Sequence, residues 1–218
     1  MKNIVHTIIL FTCVSISATF SMTPAEYEIR RATPSDIPAL FTLYRETASP
    51  NGDNGLARNP EEITEEYIVK LVSDCLRAGL MLVAIDPSND TLAGAVSKHK
   101  LEPASFKHLL TGGTTLVHPA YKGKGLAKRL WTNFLEIVRE EKPDIARIEL
   151  FVRASNAAAI HVYETVGFKI EAVLPNRVLG PNGLEADALM AWFNPNFRIV
   201  QTATQTSDRK STRLNSSH

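Results

Sequence analysis

An α/β fold, with a mixed central sheet and helices on both of its faces, is what this sequence predicts. Three observations carry that expectation. Strand-like and helix-like segments follow one another as strand, two helices, three strands, helix, strand, helix and two strands, an order that suits neither an all-helical nor an all-strand packing. Several of the helical segments carry apolar stripes at helical spacing. One strand runs through a glycine turn, Gly123 to Gly125, straight into a helix.

Taken in order, Tyr27 to Arg31 reads as a short strand. Thr33-Pro34-Ser35-Asp36 then starts a helix: Thr33 can cap, Pro34 fits a first turn, and Asp36 suits the positive helix end. Ile37, Leu40, Phe41 and Tyr44 supply its stripe. Ser49 to Pro60 holds Pro, Gly and Asn and reads as a loop. A second helix is expected from Pro60 to Ala78, with Tyr67, Ile68, Leu71, Val72, Cys75 and Leu76 inward and Gly79 as its stop. Leu80 to Ile85 and Thr91 to Lys98 read as paired strands around the turn Asp86 to Asp90. Lys100 to Gly113 reads as a loop with a short helical piece, and Thr114 to His118 as a strand. A long helix begins near Gly125 and ends before Pro143, its core face being Leu126, Leu130, Trp131, Phe134, Leu135 and Val138. Ala146 to Arg153 is a strand, Asn156 to Val166 a helix closed by Gly167. Phe168 to Val173 and Ala186 to Trp192 are strands joined by a loop around Pro181-Asn182-Gly183.

The chain has 218 residues, 44% hydrophobic and 22% charged, enough for one domain with tails and a core that needs no staples. A formal net charge of +1 argues against nucleic-acid or membrane binding by the chain as a whole. The two cysteines, Cys13 and Cys75, make neither a disulfide framework nor a metal spacing, and no metal is expected. The ends look foreign to the domain. Residues 1–22 read either as an export signal, with Lys2 followed by an apolar run, or as translation begun upstream of the natural start at Met22. Residues 201–218 read as a polar tail, and the run from Asp208 to His218 resembles the conceptual translation of a sequencing adapter. The domain itself is expected within residues 23–200.

The chemistry concentrates between Val117 and Ala127. Glycines let backbone approach a ligand closely. The first N–H groups of a helix lack internal partners, and the positive helix end favours a phosphate or pyrophosphate. Lys122 and Lys124 add charge. A dinucleotide fingerprint would need glycine where Lys128 stands, and a Walker loop would need a Gly-Lys-Ser/Thr ending that is absent.

Two motifs extend the reading. Lys122, Gly125 and Ala127 fill the places of the acyl-CoA loop of the GNAT superfamily of N-acetyltransferases, with Lys122 replacing the usual Arg or Gln. Asn156, Ala159, Tyr163-Glu164 and Gly167-Phe168 match that family's second motif. From Tyr27 to Trp192 the chain therefore resembles a GNAT enzyme. The resemblance implies a GNAT-like fold and transfer of an acetyl group from acetyl-CoA to a primary amine of a small molecule or protein, by direct attack in a ternary complex. It implies a cradle for acetyl-CoA made by Leu116, Val117 and His118 at the strand end, Lys122, Gly123, Lys124, Gly125, Leu126 and Ala127 in the loop, and Asn156. Tyr163 matches the position of the proton donor to the departing thiolate. Asn156 and Tyr163 share a helix face. The His118 side chain reads as a polar residue at a strand end rather than as a catalytic base. Glu149, on one strand face with Phe151 and Arg153, is a candidate base and equally a salt-bridged strand residue. Acceptor selection is expected from Ser49 to Pro60 and from Pro175 to Ala186, with Asn176, Arg177, Glu185 and Asp187 as candidate contacts.

The partners expected are an amine acceptor and a second copy of the chain in a homodimer, with no nucleic acid and no stable membrane association. A need for acetyl-CoA favours the cytoplasm, or export if residues 1–22 are a genuine signal. The alternative function is a non-catalytic acyl-CoA binding or sensing module, which could dispense with Tyr163.

Overall fold

The computed structural model describes residues 27–49, 56–180 and 182–199, so both foreign-looking ends lie outside the described residues. The elements are β1 (Glu28–Arg31), α1 (Ile37–Thr47), α2 (Glu65–Ala78), β2 (Gly79–Asp86), β3 (Thr91–Lys100), β4 (Leu109–Thr111), β5 (Thr115–Val117), α3 (Leu126–Glu141), β6 (Arg147–Arg153), α4 (Ala157–Thr165), β7 (Lys169–Gly180) and β8 (Gly183–Phe193). They form one sheet in the order β1-β2-β3-β4-β6-β8-β7, with β5 added to β3. Pairing is antiparallel throughout except between β4 and β6, so the sheet is mixed as expected.

Alternation along β2 shows how the layers divide. Leu80, Leu82 and Ala84 join a core with Leu130, Trp131 and Phe134 of α3, while Met81, Val83 and Ile85 join another with Leu40, Leu43 and Tyr44 of α1 and Ile68 and Val72 of α2. Helices α3 and α4 therefore cover one face, and α1 and α2 the other. Cys75 lies in the second core, where burial pushes its thiol up to about 12, so it packs as a small inert residue. Among the described residues no helix is long and apolar enough to cross a membrane.

Four details differ from the sequence reading. The second helix starts at Glu65, after a separate turn over Pro60–Glu62, because Ile63 takes an extended conformation to enter the core and Thr64 caps the new start through Tyr67 N at 3.2 Å. Leu76 is 51% exposed: the stripe is centred on Ile68, Leu71, Val72 and Cys75, and Leu76 falls at its margin. The segment from Lys100 to Gly113 holds the expected helical turn at Ala104–Phe106, but also strand β4. Between Pro175 and Ala186 most residues belong to strands, because β7 and β8 make one long hairpin closed between Gly180 and Gly183. Pro175, which has no N–H to give a ladder, is absorbed with Asn176 (φ 56°) in a register shift between Leu174 and Val178.

The far end of the sheet is tied to α3 by Asn194. Its buried side chain donates to Ile145 O at 3.0 Å and reaches Val138 O and Lys142 O at 3.4 Å, closing the helix end where carbonyls lack helical partners. Val138 O and Lys142 O keep the backbone donors Lys142 N and Ile145 N, so Asn194→Ala costs chiefly the bond to Ile145 O, an expected loss of about 1–3 kcal/mol. For a chain of this size that is about 2–10 °C in Tm, checked by thermal unfolding.

Candidate active site

The site exists because the sheet is split. β4 pairs with β6 only at Leu109↔Arg147 and Leu110↔Ile148, and beyond Thr111 the chain stops following β6. Gly112 and Gly113 both take positive φ, 59° and 62°, and step the backbone sideways. A Cβ on Gly113 would stand 2.2 Å from Ser97 O, so only glycine lets the jog press this closely on β3. The next stretch, β5, pairs with β3 alone. The second half of β6 keeps β8 on one side and has an open edge on the other.

The open edge of β5 can be read from its ladder. Ser97 N donates to Thr114 O and His118 N to Ala93 O, both at 2.9 Å. In an antiparallel ladder the alternate residues, Thr115 and Val117, then turn their N–H and C=O groups away from β3 into the gap. Leu116 does the reverse: its carbonyl faces Gly94 and its side chain is buried in the core. A cleft of about 510 Å³ fills the gap. Its walls include Leu150, Phe151 and Val152 of β6, Asn156 and Tyr163 of α4, and Ala127 of α3. Thr47 of α1 and Tyr67 of α2 line it as well, so the cleft passes through the sheet from one helical layer to the other.

At one end lies the glycine turn. Gly123 and Gly125 both have φ 75°, and a Cβ on either would meet nothing within 4 Å, so open space lies over this backbone. Gly125 caps α3, whose Arg129 N is the first to bond back, to Gly125 O, leaving the N–H groups of residues 126–128 without helical acceptors. Lys122 lines the cleft, Lys124 sits 5.2 Å over the Tyr121 ring, and the Leu126 side chain is buried, leaving its backbone as the part a ligand could meet.

Tyr163 stands in the cleft wall, half-buried against Trp131 and Phe168, with ring centroids 5.9 Å from each. Burial raises its hydroxyl above the usual phenol range, with Thr115 pulling the other way, so the hydroxyl keeps its proton at neutral pH. Thr115 Oγ1 in turn accepts from Trp131 Nε1 at 3.1 Å. Asn156 is on the same wall, and its Oδ1 accepts from Ala159 N at 3.1 Å, so it is also a helix cap.

Of the acceptor candidates, Arg177 and Asp187 line the cleft as an ion pair, with the Arg177 guanidinium 3.8 Å over the Phe151 ring. Asn176 and Glu185 do not line it. Glu185 accepts from Ser155 Oγ at 2.9 Å and lies 3.8 Å from Arg153. His118 is also outside the lining, with Nδ1 accepting from Ala120 N and Nε2 3.2 Å from Glu46. Glu149 faces Arg147 at 3.1 Å, outside the lining. Sequence reasoning missed Lys98, Arg58, Tyr67 and the Gly112-Gly113 step. Lys98 had a readable signal, a lysine at the end of an apolar strand. Among the described residues no three His, Cys, Asp or Glu side chains gather as metal ligands.

The split sheet, the glycine turn and the tyrosine wall together define an acyl-CoA transferase fold. Residues 38–168, more than half of the chain, match the family described as "Acetyltransferase (GNAT) family", and the chain belongs to that family. It is 34% identical over 107 residues to the catalytic subunit of the N-terminal acetyltransferase B complex of Arabidopsis thaliana, covering 49% of this chain and 58% of that protein. It is 37% identical over 75 residues to the ribosomal protein bS18-alanine N-acetyltransferase of Escherichia coli strain K12, covering 34% of this chain and 49% of that one. The chain thus spans about half the length of these relatives. The fold is also that of a GNAT superfamily phosphinothricin acetyltransferase from Sinorhizobium meliloti, solved in complex with acetyl-CoA. Its TM-score is 0.69 at 15% identity, over 84% of this chain and 96% of that one.

Lys98 holds the jog in place. Its side chain is buried, and Nζ donates to Gly112 O at 2.7 Å. Burial lowers its ammonium from 10.5 to about 8, against the pull of Glu149. Because the folded value is the lower one, the unfolded chain binds more protons between pH 8 and 10.5, and stability from this group rises with pH across that window. At about 1.4 kcal/mol per pH unit, the rise is up to about 3 kcal/mol. Lys98→Met removes the titration, so wild-type stability should gain on the variant between pH 7.5 and 10 in urea unfolding. A constant difference would show that Lys98 titrates normally.

Proposed function

We propose that this chain is an N-acetyltransferase that moves the acetyl group of acetyl-CoA to a primary amine by direct attack in a ternary complex. The observation that carries the reading is the gap between β5 and β6, with an open glycine cradle at one end and the Tyr163 hydroxyl in its wall. In this reading the pyrophosphate rests on the N–H groups of residues 123–127, beside Lys122 and Lys124. The pantetheine amides pair with Thr115 and Val117 as a further strand would. Asn156 flanks the arm. In this reading Leu116, whose side chain is buried and which borders the cleft, contributes packing, and His118 stands just beyond the strand end.

The neutral amine nitrogen attacks the thioester carbonyl carbon, and the C–S bond breaks. The thiolate takes the Tyr163 proton, and the attacking nitrogen gives up one proton as the amide forms. Glu149, paired with Arg147 and outside the cleft lining, takes that proton through water in this reading. A sensing module would bind acyl-CoA without a proton donor; a tyrosine hydroxyl in the cleft wall beside Thr115 favours the enzyme. An enzyme that consumes acetyl-CoA works where acetyl-CoA is made, so we place it in the cytoplasm.

Two measurements test the reading. Gly125→Ala sets a Cβ in the open space over the loop, at a backbone angle that costs an L-residue about 1–2 kcal/mol. Acetyl-CoA affinity by calorimetry should fall at least about tenfold. Gly183→Ala bears a similar strain at the hairpin turn, with nothing within 4 Å, and should leave that affinity unchanged. Tyr163→Phe keeps the ring against Trp131 and removes only the hydroxyl. Its single-turnover rate should drop by about 10²–10⁴-fold with acetyl-CoA affinity nearly constant. A wild-type rate would leave Tyr163 as a packing residue.

A further inference from the structure

The charges that line the cleft are unbalanced. Five cations border it, Arg58, Lys98, Lys122, Arg153 and Arg177, and among the described residues one carboxylate does, Asp187. Asp187 is engaged by Arg177, and Arg153 has Glu185 within 3.8 Å. Lys122 belongs to the phosphate end. That leaves Arg58 and Lys98 without a carboxylate within 4 Å among the described residues. Both stand away from the glycine turn, in the part of the cleft walled by Thr47, Tyr67 and Gly112. Tyr67 packs against the core of α1 and α2, so Arg58 stands on the side of the sheet opposite α3 and α4, from which an acceptor would approach a thioester held in the gap, while Lys98, opposite Leu80 in the ladder, stays at the jog.

Their chemistry differs usefully. The Arg58 guanidinium lies 4.2 Å over the Tyr67 ring, which orients its plane while its N–H fork stays open to solvent. Such a fork matches a carboxylate with two parallel hydrogen bonds. Lys98 is buried and spends one donor on Gly112 O, with two more N–H groups available. A polyamine would bring further positive charge to a site whose one lining carboxylate among the described residues, Asp187, is already paired. A neutral amine would leave the Arg58 fork unmatched.

Resting on the transferase reading above, we propose that the acceptor is an amine bearing a carboxylate near its nitrogen, which Arg58 binds. Two sources share this chemistry: a free amino acid, and a peptide amino terminus followed by an acidic residue.

The test compares matched acceptors in the CoA-release assay. L-methionine is set against L-methioninamide, and the C-terminally amidated dipeptide Ala-Asp against Ala-Ala. In at least one pair the carboxylate-bearing member should have a kcat/KM about ten- to hundredfold higher. Preference in the first pair identifies a free amino acid, and preference in the second an acidic peptide. Arg58→Gln should bring the preferred ratio towards one through KM, with acetyl-CoA affinity by calorimetry unaltered. If uncharged members of both pairs are acetylated as well as or better than their partners, or if the ratio survives Arg58→Gln, the assignment is overturned and the transferase stands. If no acceptor supports CoA release, the transferase reading falls and this assignment with it.

Discussion

Everything in this site depends on one step of backbone at Gly112 and Gly113. Their left-handed conformations shift the chain by one place in the sheet, so that β4 still touches β6 while β5 does not. Without the shift, β5 and β6 would zip together and the cleft would be an ordinary ladder. The step is fixed from β3 by Ser97, whose hydroxyl accepts from Thr114 N at 2.9 Å, and by the buried Lys98 ammonium on Gly112 O. Burying an ammonium costs free energy, which lowers its proton affinity. The protein tolerates that cost at the place where its sheet comes apart.

The helices then furnish the gap from both sides. α3 brings its unbonded N–H groups to the glycine turn because Gly125 can cap in a left-handed conformation. α4 is short and has no fully buried residue, yet Phe168 just beyond it packs on Trp131 and fixes where Tyr163 must lie. The phenol is thus aimed by aromatic packing, and its proton is retained by burial. On the opposite face, α1 and α2 close the cleft with Thr47 and Tyr67, and the Tyr67 ring seats Arg58.

Much of this was legible in the residues. The apolar stripe of α3 and the glycine turn declared themselves through strict spacing, and the Asn156 to Tyr163 face followed from helical period. What was hidden depended on contacts between distant segments. Glu149 was read as a base or as a salt-bridged strand residue, and the ion pair it makes with Arg147, two residues earlier on the same face, comes from side-chain geometry that no spacing announces. Pro175 and Asn176 looked like loop residues, as their chemistry suggests, yet a hairpin can absorb both in a bulge when the flanking strands pair on each side. Arg58 carries no local pattern at all; its place comes from the way α2 packs.

The split sheet also leaves a strand edge inside the molecule. An unpaired edge on an outer surface invites another chain to add to it, and proteins blunt such edges with charge, proline or a covering element. Here the edges of β5 and β6 face each other across a narrow cleft roofed by α3 and α4 on one side and by α1 and α2 on the other. A slender amide-bearing molecule can enter and pair, while a polypeptide strand with side chains on both faces cannot. The fold thereby keeps a hydrogen-bonding surface exposed to its ligand and concealed from other proteins, protection achieved by shape instead of by surface charge.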